Sequence, residues 1–361
     1  MSRPPTAGPA WAVRSRQVTD RRVEAEVDGI PVWVACDDVG LTDVPEAWGS
    51  AFALPSARAG YGLDFDVPVD PSWAVTAQQN IQTTASWWGG TPQPTWTSPS
   101  HRLPRWLHRR RPLAPGTGLC FTGGVDSFFS LLRHEQRPTC LVYVVGFDVP
   151  VEDRERAERV IALVRDVARD QRTPALIVRT DLREHPRFAS ISWEHTHGAA
   201  LAAIGHLLAG TISTLVIPPS YGVDRLVPWG SHPELDASWS VPGRLDVVHG
   251  DASGHRLDRV MAIAHDPLVH RHLRVCWQNV GSDLNCGSCE KCVRTMAMLA
   301  AAGTLDSCAT FPGRAELPRR IDAMASLPPG TVPMWQDLLE VGLRPEEQAA
   351  IEALVARSSA R

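Results

Sequence analysis

Lysine is nearly missing from this 361-residue chain: Lys291 is the only one, and arginine carries almost all of the basic charge. With a formal net charge of −4 there is no cationic surplus to hold a polyelectrolyte, so nucleic acid is not an expected partner. Long apolar runs are missing too. The longest are strand-length or alanine-rich helical segments, and none approaches the roughly 20 residues that span a bilayer, so no membrane partner is expected. The opening residues MSRPPTAGPA hold no apolar leader core, which gives a cytoplasmic expectation. What is present, 43% hydrophobic and 21% charged residues, describes a globular protein of two or three domains with a sizeable core.

Residues 1–105 read as a β-rich accessory domain. RVEAEVDGIPVWVA alternates Val23, Ala25 and Val27 with charges, turns at Asp28-Gly29 and returns through Ile30, Val32 and Val34, the pattern of a hairpin. GLDFDVPVD alternates again around Phe65, and a tryptophan-rich, turn-rich stretch follows with Trp73, Trp87, Trp88 and Trp96, read as core or interface rather than a ligand pocket. A basic, proline-punctuated linker, 102–118, carries Arg102, Arg105, Arg109, Arg110 and Arg111, read as a solvated surface.

From residue 118 short apolar runs alternate with amphipathic helices. Strands are expected at 118–122, 140–147, 175–180 and 214–219, with a weaker one at 273–277. Helices are expected over 126–134, 152–170 and 193–209, and again in RPEEQAAIEALVARS near the end. Strands separated by helices imply βαβ units and a parallel, doubly wound sheet. The expected organisation is an α/β domain over 106–275, and a cysteine cluster with C-terminal helices over 276–361.

The most informative segment is GLCFTGGVDSFFSLL. A strand ends at Phe121, Gly123-Gly124 lets successive backbone N–H groups converge, and a helix starts near Asp126-Ser127, a geometry that binds phosphate. It is neither a Walker loop, which needs a lysine, nor the G-x-G-x-x-G dinucleotide fingerprint. A plain strand-turn-helix with Asp126 as N-cap is the rival reading.

Four of the eight cysteines form a second motif, Cys276, Cys286, Cys289 and Cys292, spaced C-x9-C-x2-C-x2-C. Thiolates two residues apart on a tight turn, a third from a helix start and a fourth from a preceding strand make a closed tetrahedral set, most simply for Zn²⁺. An iron-sulfur cluster is the alternative. Cys120 and Cys140, inside expected strands, read as buried structural residues.

TGGVDS resembles the loop of the PP-loop N-type ATP pyrophosphatases, usually written S-G-G-x-D-S. The resemblance implies an adenine nucleotide alpha hydrolase-like sheet and ATP bound with Mg²⁺. It implies that Thr122, Gly123, Gly124, Val125, Asp126 and Ser127 form the nucleotide site, with Asp126 and Ser127 catalytic. Phe147, in the GFD that ends the second strand, would then contact adenine or ribose. Together with the cysteine spacing the pattern is similar to the 7-cyano-7-deazaguanine synthases over roughly residues 116–300. That similarity implies adenylation of a carboxylate or amide, release of pyrophosphate and attack by ammonia to give an amide or nitrile. This chain departs from them in its first 100 residues, in Val125 where a glutamine is usual, and in Phe128 where a threonine is usual.

Further candidates lie along the same edge. Glu194 and His195 open a helix with His197, and PPSYGVDRLVPWGSHPELDASWS places Arg225 and His232 in a long loop where α/β ligands sit. Glu194, His195, Arg225 and His232 are the expected substrate residues, with Arg225 suited to grip a carboxylate. Arg256 or Arg259 would stand in for the basic phosphate contact that the resemblance implies. The expected partners are a small-molecule acid and ammonia, free or from another protein, because Ser2 stands where an N-terminal glutaminase cysteine would be; a homodimer is left open. A sulfurtransferase acting on a tRNA base or small molecule, and a nucleotide-binding sensor or scaffold, are the two alternatives.

Overall fold

The computed structural model describes residues 9–90, 96–99, 116–133, 137–281 and 283–359. Residues 102–115 of the basic linker and the boundary expected at 105/106 lie outside the described residues. The chain opens with β1 (Ala10–Thr19), β2 (Arg22–Val27) and β3 (Ile30–Cys36). β2 and β3 form the expected hairpin, turning through Asp28 and Gly29 at φ of 53° and 76°, left-handed values that suit an Asp-Gly pair. α1 (Pro45–Arg58), β4 (Gly62–Phe65), α2 (Pro71–Trp88) and β5 (Trp96–Thr97) follow. The stretch expected to be turn-rich is thus largely a helix. Asp70 caps α2 by accepting from Ser72 N and Trp73 N, Pro71 suits its first turn, and Trp73, Ala77 and Ile81 recur every four residues on its buried face.

The α/β pattern then unfolds as β6 (Thr117–Cys120), α3 (Val125–Arg133), β7 (Cys140–Val145), α4 (Arg154–Asp170), β8 (Ala175–Thr180), α5 (Trp193–Leu207) and β9 (Thr214–Ile217). After it come α6 (Pro233–Asp236), β10 (Asp246–His249), α7 (Arg256–Ile263), α8 (Pro267–His272), α9 (Glu290–Ala301), α10 (Leu317–Asp322), α11 (Val332–Gln336) and α12 (Pro345–Ser359). Residues 273–277 form no strand. Val275 N and Cys276 N donate instead to the Asn285 side chain at 2.8 and 3.2 Å, so an amide does the work of a neighbouring strand.

Among the described residues all the strands join one ten-stranded sheet in the order β10-β9-β6-β7-β8-β3-β2-β1-β4-β5. β6 to β10 are mutually parallel, and the order reverses between β6 and β9. That reversal opens a crevice beyond the strands' C-terminal ends, the usual ligand position of such sheets. The N-terminal strands are not a detached unit: β3 pairs antiparallel with β8, and Asp38 and Asp181 accept from Ile177 N and Trp33 N across the seam at 2.7 and 2.9 Å.

β7 shows why the sheet is buried on both faces. Leu141, Tyr143 and Val145 pack with α3, α4 and the C-terminal helices, whereas Val142 and Val144 pack with α1 and α5. No helix among the described residues is long and apolar enough to cross a membrane. α12 is held by a buried clasp, in which Arg314 meets both Glu347 oxygens at 2.6 and 2.7 Å and Arg344 N donates at 2.9 Å. Burial would raise the Glu347 carboxyl, but these donors more than offset it and hold it below its ordinary value. The clasp therefore contributes stability above about pH 4.5 that is lost as pH falls through the lowered value. Thermal melts at pH 6 and pH 3 should show a smaller acid-induced loss of Tm in Glu347→Gln than in the parent chain.

Candidate functional site

The loop after β6 is built to expose backbone donors. Phe121 N still pairs with Val142 O at 2.8 Å, but the N–H groups of Thr122, Gly123 and Gly124 meet no acceptor among the described residues. α3 starts at once, with Phe128 N and Ser127 Oγ bonded to Gly124 O at 2.9 and 3.0 Å. Gly123 sits at φ 77°, where a Cβ would lie 3.0 Å from Leu163 Cδ2 and 3.3 Å from His272 O. Three N–H groups without an acceptor ahead of a helix N-terminus are an arrangement able to bind an anion, as a backbone nest does.

This nest opens into a cavity of about 190 Å³. Thr122, Gly124, Val125, Asp126 and Ser127 line it together with the charged Asp148, Arg256 and Lys291 and the apolar Val142, Val144, Phe147, Leu201 and Ile217. Every member of the expected loop except Gly123 lines it, and Gly123 shapes the turn. Asp126 is not a free carboxylate. Its oxygens meet Arg256 at 3.0 Å and Arg259 at 3.1 Å, and Arg259 is also held by the carbonyls of Pro219, Tyr221 and Ser253. Of the two arginines only Arg256 lines the cavity, and its Nε is buried without a partner among the described residues.

A second, larger cavity of about 1060 Å³ shares Phe147, Asp148, Trp193 and Lys291 with the first. Trp193, Trp229 and Trp277 give it aromatic walls, and the Arg183 guanidinium lies 4.6 Å from the Trp193 ring while donating to Phe147 O. Burial pushes the Arg183 pKa below its ordinary value, with Asp148 acting the other way.

Of the four expected substrate residues, Glu194 alone lines this cavity. The helical repeat explains His195. One residue on from Glu194 it is turned by about 100°, and it stacks on Trp88 at 3.9 Å instead. His197 comes back to the cavity side and lines the smaller cavity, its pKa lowered by burial. Arg225 does grip a carboxylate, but one of its own chain, Asp337, at 2.6 and 2.8 Å. His232 caps α6 by accepting from Glu234 N at 3.1 Å and packs edge-on to Trp87 at 4.8 Å, away from both cavities. Sequence reasoning gives no role to Lys291 or Trp193, whereas Asp148 belongs to the GFD that ends the second strand and Arg183 to RTDLR at 179–183, which ends the third, both expected as supporting positions. For Lys291 the signal was there, a lone lysine in an arginine-rich chain placed between two cysteines of the cluster.

The four cysteine Sγ atoms of Cys276, Cys286, Cys289 and Cys292 lie within 4.8 Å of one another. Cys289 N donates to Cys286 Sγ at 3.3 Å and Cys292 N to Cys289 Sγ at 3.4 Å, which orients the thiolates inward. The hydrogen bond from the Cys292 thiol lowers Cys289 to about 5, and the same shared proton pushes Cys292 up. Gly287 turns the loop at φ 63°, with Pro312 2.9 Å from where a Cβ would stand. Such a compact, all-sulfur set can bind a metal ion such as zinc.

No protein-family model, curated protein or solved structure matches this chain.

Proposed function

We propose that the chain is an ATP-dependent adenylating enzyme of the PP-loop kind, which activates a carboxylate or amide and passes it to ammonia. The observation that carries this reading is the row of free N–H groups at Thr122, Gly123 and Gly124, set at the sheet's reversal point beside a cavity lined by both charged and apolar side chains. The β- and γ-phosphates would occupy the nest, and the adenine would lie against Phe147, Val142 and Val144. The acid would enter from the larger cavity, whose tryptophan walls suit a flat, conjugated body.

A carboxylate oxygen attacks the α-phosphorus, the bond to the bridging oxygen breaks, and pyrophosphate departs with the electron pair. Ammonia then adds to the acyl carbon, AMP leaves, and the surplus proton goes to solvent. For the nitrile, the amide oxygen is adenylated in turn, and AMP departs as the two amide protons are lost. Catalysis is chiefly positioning and charge stabilisation by fixed dipoles. Magnesium would arrive on the phosphates; Asp126 is taken by two arginines, and Asp148 is the other carboxylate that lines the smaller cavity and could meet it. Zinc in the cysteine set would be structural, because four thiolates leave no open position.

The test combines metal content, an absorption spectrum and product analysis on anaerobically purified protein given Mg·ATP, ammonia and 7-carboxy-7-deazaguanine or other flat acids. One zinc per chain with AMP and pyrophosphate as products is the expected result. ADP and phosphate would contradict it, and iron with labile sulfide would favour sulfur transfer.

A further inference from the structure

The loop after β6 supplies N–H groups but no cation, and the chain's single lysine reaches the cavity from another part of the fold. Lys291 stands in the first turn of α9 between Cys289 and Cys292. It is one of four residues, with Phe147, Asp148 and Trp193, that line both cavities. No acceptor among the described residues takes a hydrogen bond from its ammonium, whereas Arg256, the other cation lining the smaller cavity, is paired with Asp126 and donates to Ser220 O. The turn that carries it has little freedom. Cys289 caps the helix by accepting from Cys292 N, and Glu290 is locked by Arg294 at 2.6 Å and by Trp335 Nε1 at 2.9 Å.

We propose that Lys291 is a catalytic residue: its ammonium bridges the incoming carboxylate and the α-phosphate where the two cavities meet, and a metal in the cysteine cluster holds it there. This rests on the adenylation reading. Two anions must approach each other for the carboxylate oxygen to reach phosphorus, and a fixed cation between them lowers that repulsion. A side chain bracketed by two metal ligands keeps its place only as long as those ligands keep theirs. The cluster thereby becomes part of the phosphate site.

Being the only lysine, Lys291 can be read directly by amine chemistry. Full-length, metal-loaded protein is treated with pyridoxal 5′-phosphate and borohydride, and labelled peptides are quantified against the N-terminal amine. Mg·ATP is expected to suppress Lys291 labelling about tenfold, with adenosine without effect. In parallel, Lys291→Met should weaken ATP binding about tenfold with adenosine binding and zinc content unchanged, Lys291→Arg should restore most of it, and chelation should bring the parent chain to the level of Lys291→Met. ATP bound by equilibrium dialysis with Lys291 still fully labelled, or equal ATP affinity in Lys291→Met, overturns the assignment and leaves the nucleotide reading standing. Metal-free protein that binds ATP as tightly as loaded protein overturns the role of the metal. If the parent chain binds no ATP in the dialysis, the nucleotide reading itself falls and this inference falls with it.

Discussion

Gly123→Ala is expected to weaken Mg·ATP binding at least about tenfold while Tm falls by only a few degrees. The residue sits at φ 77°, a left-handed value that costs a side-chain-bearing residue about 1–2 kcal/mol. Its new Cβ would also press on Leu163 Cδ2 at 3.0 Å and His272 O at 3.3 Å. Leu163 can yield, but the carbonyl cannot move freely, because the same segment donates Arg274 N to Gly123 O at 2.8 Å. The loop relieves the strain by rotating its peptides, which turns the free N–H groups of Thr122 and Gly124 away from one another. Isothermal titration with Mg·ATP alongside thermal melts separates the two effects. Unchanged affinity would mean that the nest is not where the phosphates bind.

Removing a metal held by the four cysteines is expected to have the largest effect on stability. Asn285 ties the cysteine loop to Leu273 O, Val275 N and Cys276 N, and α9 packs its Val293, Met296, Ala297 and Leu299 into the same core as α3 and α4. Loosening the cluster frees this whole side. Zinc contributes about 10–16 kcal/mol in isolated finger peptides, and the preformed surroundings here should leave a loss of several kcal/mol on chelation or in Cys289→Ser. Hydrogen exchange should then show the loss concentrated in residues 285–359, with the strands of the N-terminal hairpin protected as before. A uniform loss of protection, or none, would show that the cysteines are not holding a metal of structural weight.

The parts of the fold that were legible in the sequence are those written in local chemistry. Strict alternation with an Asp-Gly turn marks β2 and β3, alternating apolar runs and helices mark β6 to β9, and the glycine pair before Asp126 marks the loop. The cysteine set was legible because metal geometry is encoded in spacing, although Cys276 comes from a segment braced by Asn285 rather than from a strand. What was not legible depends on long-range partners. α2 was hidden because Trp73, Thr83, Thr84 and the closing Trp87-Trp88 have weak helix propensity, and its stability comes from packing Trp73 against Ser50 and α1. The capture of Arg225 by Asp337 and of Asp126 by two arginines joins residues more than a hundred positions apart, and no local pattern announces such pairs. His195 and His197 were within reach of sequence reasoning, since a helical wheel separates them. Lys291 was visible as a count but not as a location.

The most direct measurement of the central claim is a structure of the zinc-loaded protein with Mg²⁺ and the α,β-methylene analogue of ATP. The β- and γ-phosphate oxygens are expected within hydrogen-bond distance of the Thr122, Gly123 and Gly124 N–H groups, with adenine against Phe147 and the α-phosphate facing Lys291. A nucleotide bound elsewhere, or its triphosphate reversed so that the γ-phosphate faces the larger cavity, would contradict the claim.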